Sequence, residues 1–308
     1  MSSVMTVTGP IDAKDLGVTL MHEHVFANLI QEYRRDGLLN DPNLAEYEVQ
    51  FLKRAGGSTL VDLTTAEIGP NPIGLRNVSS ATGVQIIMGV GHYRDPYLNK
   101  EWFDKMSVDS IADLMVHDIQ EGVGDTGVRG GIIGEIGSDK WYISAQEERS
   151  FRAAARAHRK TGLTVSTHAA RWPVGLAQVD ILVKEGVDPR RIVVGHCDTV
   201  PDPRYHETLA RRGCYVEFDT IRGYLREWDL NRITGYIMNL LHAGFGSQIL
   251  LSQDTFLRSH LHVSGGSGYD FLLTDFLPRL KHVGLTDDDI HMLMVVNPRN
   301  ALTGERAT

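Results

Sequence analysis

Cysteine is almost absent: Cys197 and Cys214 are the only two in 308 residues, too few for a disulfide framework. No apolar run approaches the ~20 residues needed to cross a bilayer, so no membrane partner is expected. Residues 1–6 carry no basic segment followed by an apolar one. No signal peptide is read there, and the expected location is the cytoplasm. A basic excess is also missing: 31 Lys and Arg stand against 39 Asp and Glu, a net charge of −8 that argues against nucleic acid. What is present is an ordinary globular composition, 42% hydrophobic and 23% charged. The chain is long for one domain but suits an α/β barrel.

Residues 4–16 read as a short hairpin turned at Gly9-Pro10. Eight strand-like runs follow, at 17–24, 58–64, 84–90, 130–136, 163–168, 191–196, 214–218 and 248–254. Most are rich in Val, Ile and Leu and alternate only weakly, as parallel strands covered on both faces do. Helical stretches lie at 43–54, 107–122, 144–161, 174–185, 202–212, 228–243, 269–282 and 287–295. Gly56-Gly57 closes the first, and Ser144 with Glu147 makes a capping box for the third. The tract Ser264-Gly265-Gly266-Ser267-Gly268 reads as a flexible loop rather than a domain boundary. Strand and helix alternating in this way predict an α/β chain folded as a (β/α)8 TIM barrel, one domain over residues 1–308 with a short N-terminal hairpin and a C-terminal helix. A doubly wound sheet would need a glycine-rich nucleotide turn after its first strand, and His22-Glu23-His24-Val25 is not one.

Chemistry-bearing residues recur at one end of these strands. His22 and His24 end the first run; two-residue periodicity puts both on one face and Glu23 on the other. Glu135 ends the fourth, His168 the fifth, His196 the sixth and Asp254 the eighth. All lie at carboxyl ends, where barrel enzymes keep their chemistry, and strand eight closes against strand one. A lone strand-end histidine is ordinarily a satisfied core residue. A carboxylate inside an apolar strand is harder to place, because burying it unpaired costs several kcal/mol. Four imidazoles and two carboxylates exceed the needs of one tetrahedral ion. They suit two divalent cations, zinc first: one held by His22, His24 and Asp254, the other by His168 and His196, with Glu135 between.

These positions resemble the phosphotriesterase family of the amidohydrolase superfamily. The opening Thr8-Gly9-Pro10-Ile11, the run Gly17-Val18-Thr19-Leu20-Met21-His22-Glu23-His24 and the closing Asn297-Pro298 are similar to that family's start and end, so the likeness covers essentially the whole chain. Its best-known members bridge their metals with a carboxylated lysine on strand four. Here Glu135 stands at that place, resembling a glutamate-bridged branch that includes lactonases, and Lys140 lies past the strand end. Either bridge carries one negative charge.

Two such cations acidify a shared water near neutral pH and polarise the oxygen of the bond to be cleaved. The expected activity is metal-dependent hydrolysis of lactones or carboxylic esters by a metal-bridging hydroxide, with phosphotriesters as promiscuous substrates. An amidase or deaminase with the same metals is one alternative, and a non-catalytic ligand-binding barrel another. Asp254 is the expected proton acceptor. By resemblance to the lactone-hydrolysing branch, Tyr93 contacts the carbonyl or leaving oxygen. Arg94, Arg171, Arg222 with Arg226, and Arg258 follow strand ends. Facing inward they would form a cationic mouth for an anionic substrate, with Arg94, Arg222 and Arg258 as its binding residues. The loop 255–268 is a candidate lid, with His260 and His262 on its surface. His92, His206, His242 and Trp172 are read as packing or surface residues, and a homodimer is the expected assembly.

Overall fold

A computed structural model describes residues 2–305 apart from Tyr224. Eight strands form a parallel sheet in sequence order: β1 (Thr19–Glu23), β2 (Thr59–Asp62), β3 (Gln85–Val90), β4 (Ile132–Gly137), β5 (Val165–His168), β6 (Ile192–Gly195), β7 (Tyr215–Phe218) and β8 (Ile249–Leu251). Helices surround them, so the chain is a (β/α)8 barrel. The seam between β8 and β1 closes through the segment just past β8. Asp254 N–H donates to His22 O at 3.0 Å, and His24 N–H to Thr255 O at 3.2 Å. Glu23 buckles this seam. Its Oε1 accepts from Ser252 Oγ and Gln253 N, and its Oε2 from Thr255 N, each at 2.8 Å.

Two apolar layers hold the barrel. Outside, strand residues such as Leu60, Ile86, Val194 and Phe218 pack with the helices. Inside, Met21, Val61, Ile87, Ile132, Val193 and Leu250 fill the amino-terminal half, and Val4, Ala13, Ala301 and Leu302 plug its end. That plug comes from the hairpin Ser3–Thr6/Gly9–Asp12 and the last helix, Asn297–Thr303.

Strict alternation fails where it matters most. Met21 packs inside the barrel, yet the next residue, His22, also faces the interior. The β1–β2 register shifts between Leu20 and Glu23, and the irregularity re-aims both histidines. The β4–β5 register shifts likewise between Ile133 and Ile136, the stretch that carries Glu135.

Local differences from the sequence reading have local causes. Thr6 pairs with Gly9, so the hairpin turns at Val7-Thr8, not at Gly9-Pro10. A helix unread in the sequence spans Pro72–Thr82; the Asn71 side chain caps its start and Gly83 in the left-handed region ends it. The final helix does not stop near 295. Asp287–His291 widens into a π turn, Met292–Val296, and runs on through Pro298 to Thr303. Asn297 Nδ2 pins it to the base of the barrel through Gly246 O and Ile249 O, each at 2.8 Å. The glycine tract at 264–268 is exposed at Ser264-Gly265 and packed at Gly266, where a Cβ would sit 2.2 Å from His260 O.

Candidate metal centre

Glu135 stands at the centre of a buried cluster on the carboxyl-end face. Its Oε2 lies 2.9 Å from His168 Nδ1, 3.2 Å from His196 Nε2 and 3.4 Å from His22 Nε2. Its Oε1 lies 3.5 Å from His24 Nε2. Asp254 Oδ1 lies 3.3 Å from His24 Nε2 and 3.9 Å from His22 Nε2. The six residues expected as ligands are therefore brought together. Two sets, His22–His24–Glu135 and Glu135–His168–His196, have the spacing of metal ligands and share Glu135.

The hydrogen-bonding chemistry fits cations there. The Thr64 hydroxyl donates to Phe26 O at 2.9 Å, so it accepts from His24 Nδ1–H at 2.9 Å, leaving His24 Nε2 a bare lone pair. His22 Nδ1 meets Asp219 Oδ2 at 3.1 Å and Glu217 Oε2 at 3.2 Å, and His196 Nδ1 meets Asp219 Oδ1 at 2.8 Å. Carboxylates only accept, so both rings donate from Nδ1 and present Nε2 to the cluster. Among the described residues, buried His22 Nε2 has no hydrogen-bond partner. His196 Nε2 and His168 Nδ1 approach to 2.7 Å with Glu135 Oε2 beside them. Lone pairs converging at that distance repel unless a proton or a cation lies among them.

Electrostatics follow from burial and pairing. Burial works against charging His22 and His196, but Asp219 and Glu135 prevail, raising His22 well above the ordinary histidine value and His196 to about 10. Burial and the neighbouring His196 push His168 down to about 4. Burial also opposes ionising Glu135, yet His168 and His22 hold its pKa well below the usual range. Glu217, buried beside a second carboxylate, is pushed up to about 7.

The remaining expected residues separate. Tyr93 OH lies 3.3 Å from His168 Nδ1 in the wall of the cavity above the cluster. Arg94 lines the same cavity but is paired with Glu32 and Asp139. Arg222 holds Asp254 Oδ2 at 2.5 Å and the backbone oxygens of Gln253 and Asp254 at 2.5 and 2.6 Å. Arg258 is exposed and lines a separate shallow groove with Leu38 and Leu44, so it is not part of the mouth. The loop histidines are not surface groups either. His260 is buried against Phe256, and His262 Nε2 bonds Asp270 at 2.6 Å. His92 and His206 are packing residues as expected, bonded to Glu67 at 2.6 Å and Cys197 O at 2.7 Å.

Two carboxylates that contact the cluster histidines escaped the sequence reading. Glu217 in β7 and Asp219 just past its end follow Tyr215 at the same two-residue spacing that singled out His22 and His24. A pair of carboxylates in an apolar strand was the available signal. Backbone conformation marks the site as well: His196 and Asp254 have φ of 58° and 49°, in the left-handed region that non-glycine residues rarely occupy.

Comparison with known proteins places this geometry among relatives. The sequence profile described as the phosphotriesterase family matches residues 2–302. The chain is 35% identical over 293 residues to a phosphotriesterase homology protein of Escherichia coli K12, covering 92% of this chain and 96% of that protein. It is 28% identical over 365 residues to the N-acetyltaurine hydrolase of Dictyostelium discoideum, covering 98% of each. A lactonase structure from Listeria monocytogenes superposes with a TM-score of 0.92 at 27% identity, covering 99% of this chain and 100% of that one.

Proposed function

The chain belongs to the phosphotriesterase family, and on that premise we propose that it hydrolyses an acyl bond of a small molecule with two divalent ions, zinc first, held by the Glu135 cluster. One ion is assigned to His22, His24 and Asp254, the other to His168 and His196, with Glu135 reaching both. The observation that carries this reading is the convergence of four imidazole nitrogens on one buried carboxylate. Such ions, when bound, acidify water and polarise the bond under attack.

The chain's own groups supply the rest. Asp219 and Thr64 fix the histidine tautomers. Arg222 claims Asp254 Oδ2, so Asp254 Oδ1 is the oxygen left facing the cage and is assigned as proton acceptor. Burial and Glu135 hold the Tyr93 phenol well above its ordinary pKa, partly offset by Arg94. It therefore stays protonated and donates to the substrate's carbonyl or leaving oxygen. The cavity of about 310 Å³ admits a small substrate, against apolar walls of Leu29, Tyr33 and Phe256.

A lactone or carboxylic ester is the leading substrate class, supported by the likeness to a lactonase. An acyl amide is the second reading, supported by the N-acetyltaurine hydrolase likeness over 98% of the chain. The test is metal-loaded protein on a panel of lactones, esters, N-acyl amides and phosphotriesters. Turnover confined to one carbonyl class assigns the reaction. No turnover of any class by fully metallated protein favours a binding barrel and defeats the proposal.

A further inference from the structure

Among the described residues three arginines line the cavity, and two of them are already committed. Arg94 is buried between Glu32 and Asp139. Arg222 is clamped to Asp254 and to two backbone oxygens beneath it. Arg171 differs: it is exposed in the lining and, among the described residues, forms no ion pair. Its φ of 69° is left-handed, a costly conformation for a residue with a Cβ. That conformation is held from below. Arg171 N–H donates to Thr199 Oγ1 at 2.7 Å, and the Thr199 hydroxyl donates to His196 O at 2.6 Å. A strained backbone tied to a cluster histidine thus presents, among the described residues, the one cavity guanidinium without a carboxylate.

We propose that Arg171 is the receptor for an anionic tail on the substrate, and that the substrate is a short acyl amide or ester ending in a sulfonate or carboxylate. The inference rests on the cavity being the substrate pocket, as proposed above. Three observations set the chemistry. The cavity carboxylates Asp139 and Asp254 are each answered by an arginine and Glu135 by the histidines, so among the described residues Arg171 is the remaining arginine in the wall without a carboxylate partner. Arg171 lies three residues beyond His168, so its Cα is within about 10 Å of that ligand by chain length alone. The tail is therefore separated from the scissile carbonyl by only a few atoms. Finally, a planar guanidinium with free donors takes an oxyanion through paired hydrogen bonds, which a neutral substrate cannot match.

The test measures binding first, so that it does not depend on catalysis. Metal-loaded protein is titrated calorimetrically with N-acetyltaurine, N-acetyl-β-alanine and the uncharged N-ethylacetamide. The wild-type protein is expected to bind at least one anion about tenfold or more tightly than the neutral amide, a gap of about 1.4 kcal/mol. Arg171→Gln is expected to close that gap to within about twofold, and Arg171→Lys to restore part of it, since lysine returns the charge without the fork. Equal affinities in the wild type, or a gap that survives Arg171→Gln, overturn the proposal. Turnover of the same compounds is read separately. Arg171-dependent binding without hydrolysis defeats the reaction assignment alone; hydrolysis with no dependence on Arg171 defeats the anion receptor alone.

Discussion

Asp219→Asn tests how the cage is oriented. Asp219 Oδ2 accepts from His196 N at 2.8 Å and from His22 Nδ1 at 3.1 Å, while Oδ1 accepts from His196 Nδ1 at 2.8 Å. An asparagine keeps the shape but offers one oxygen and one amide nitrogen. Its oxygen is best placed at the Oδ2 position, where two N–H groups already point. The amide N–H₂ then faces His196 Nδ1–H, donor against donor. His196 relieves the conflict by moving its proton to Nε2, the atom it presents to Glu135 and His168. The His168–His196 ion should lose about 10–100-fold in affinity, or about 1.4–2.7 kcal/mol, as loss of an outer partner to a metal-bound histidine does. The His22–His24 ion keeps its ligands, because Glu217 still accepts from His22 Nδ1 at 3.2 Å. Titration in a chelator-buffered series, with bound metal counted by mass spectrometry, should show two similar steps in the wild type. In the variant one step should shift to weaker binding. Two unshifted steps would refute the tautomer argument.

Other perturbations read other parts of the structure. Glu135→Gln removes the charge common to both ligand sets and should lower metal content at both sites; two tightly held ions in that variant would contradict the bridge. Burial favours a neutral Asp254, but Arg222 outweighs it and holds the carboxyl below its usual pKa. Arg222→Met should therefore move the acidic limb of the kcat/KM pH profile to higher pH and lower kcat, and an unmoved limb would exclude Asp254 as proton acceptor. Glu23 is pushed by burial from 4.5 to about 7, so its neutral form is favoured in the fold. A raised carboxyl contributes stability present below its unfolded pKa and lost as pH rises through its folded one. The urea-measured stability of wild type minus Glu23→Gln should accordingly shrink by about 2–3 kcal/mol from about pH 5 to about pH 8, and a constant difference would count against this linkage.

The barrel was legible because eight Val-, Ile- and Leu-rich runs alternate with capped helices, and because buried carboxylates such as Glu135 and Asp254 cannot be accidental. The register shifts in β1 and β4 were not legible. They depend on how each strand meets its neighbour, and simple alternation from Met21 puts His22 on the wrong face. The fate of the arginines was hidden for a related reason. Position after a strand places Arg94, Arg222 and Arg258 near one rim, but their partners Glu32, Asp139 and Asp254 arrive from other loops or strand ends, and Arg258 turns to the outside. Glu217 and Asp219 carried a readable spacing; the helix at Pro72–Thr82 carried readable caps but too broken an apolar stripe.

The central claim is a paired-cation cage around Glu135. Crystals grown with zinc and measured above and below its absorption edge test it most directly. Two anomalous peaks flanking the Glu135 carboxylate, one against His22 and His24 and one against His168 and His196, are the predicted result. A map with no peak there, or with metal bound only elsewhere on the surface, would contradict it.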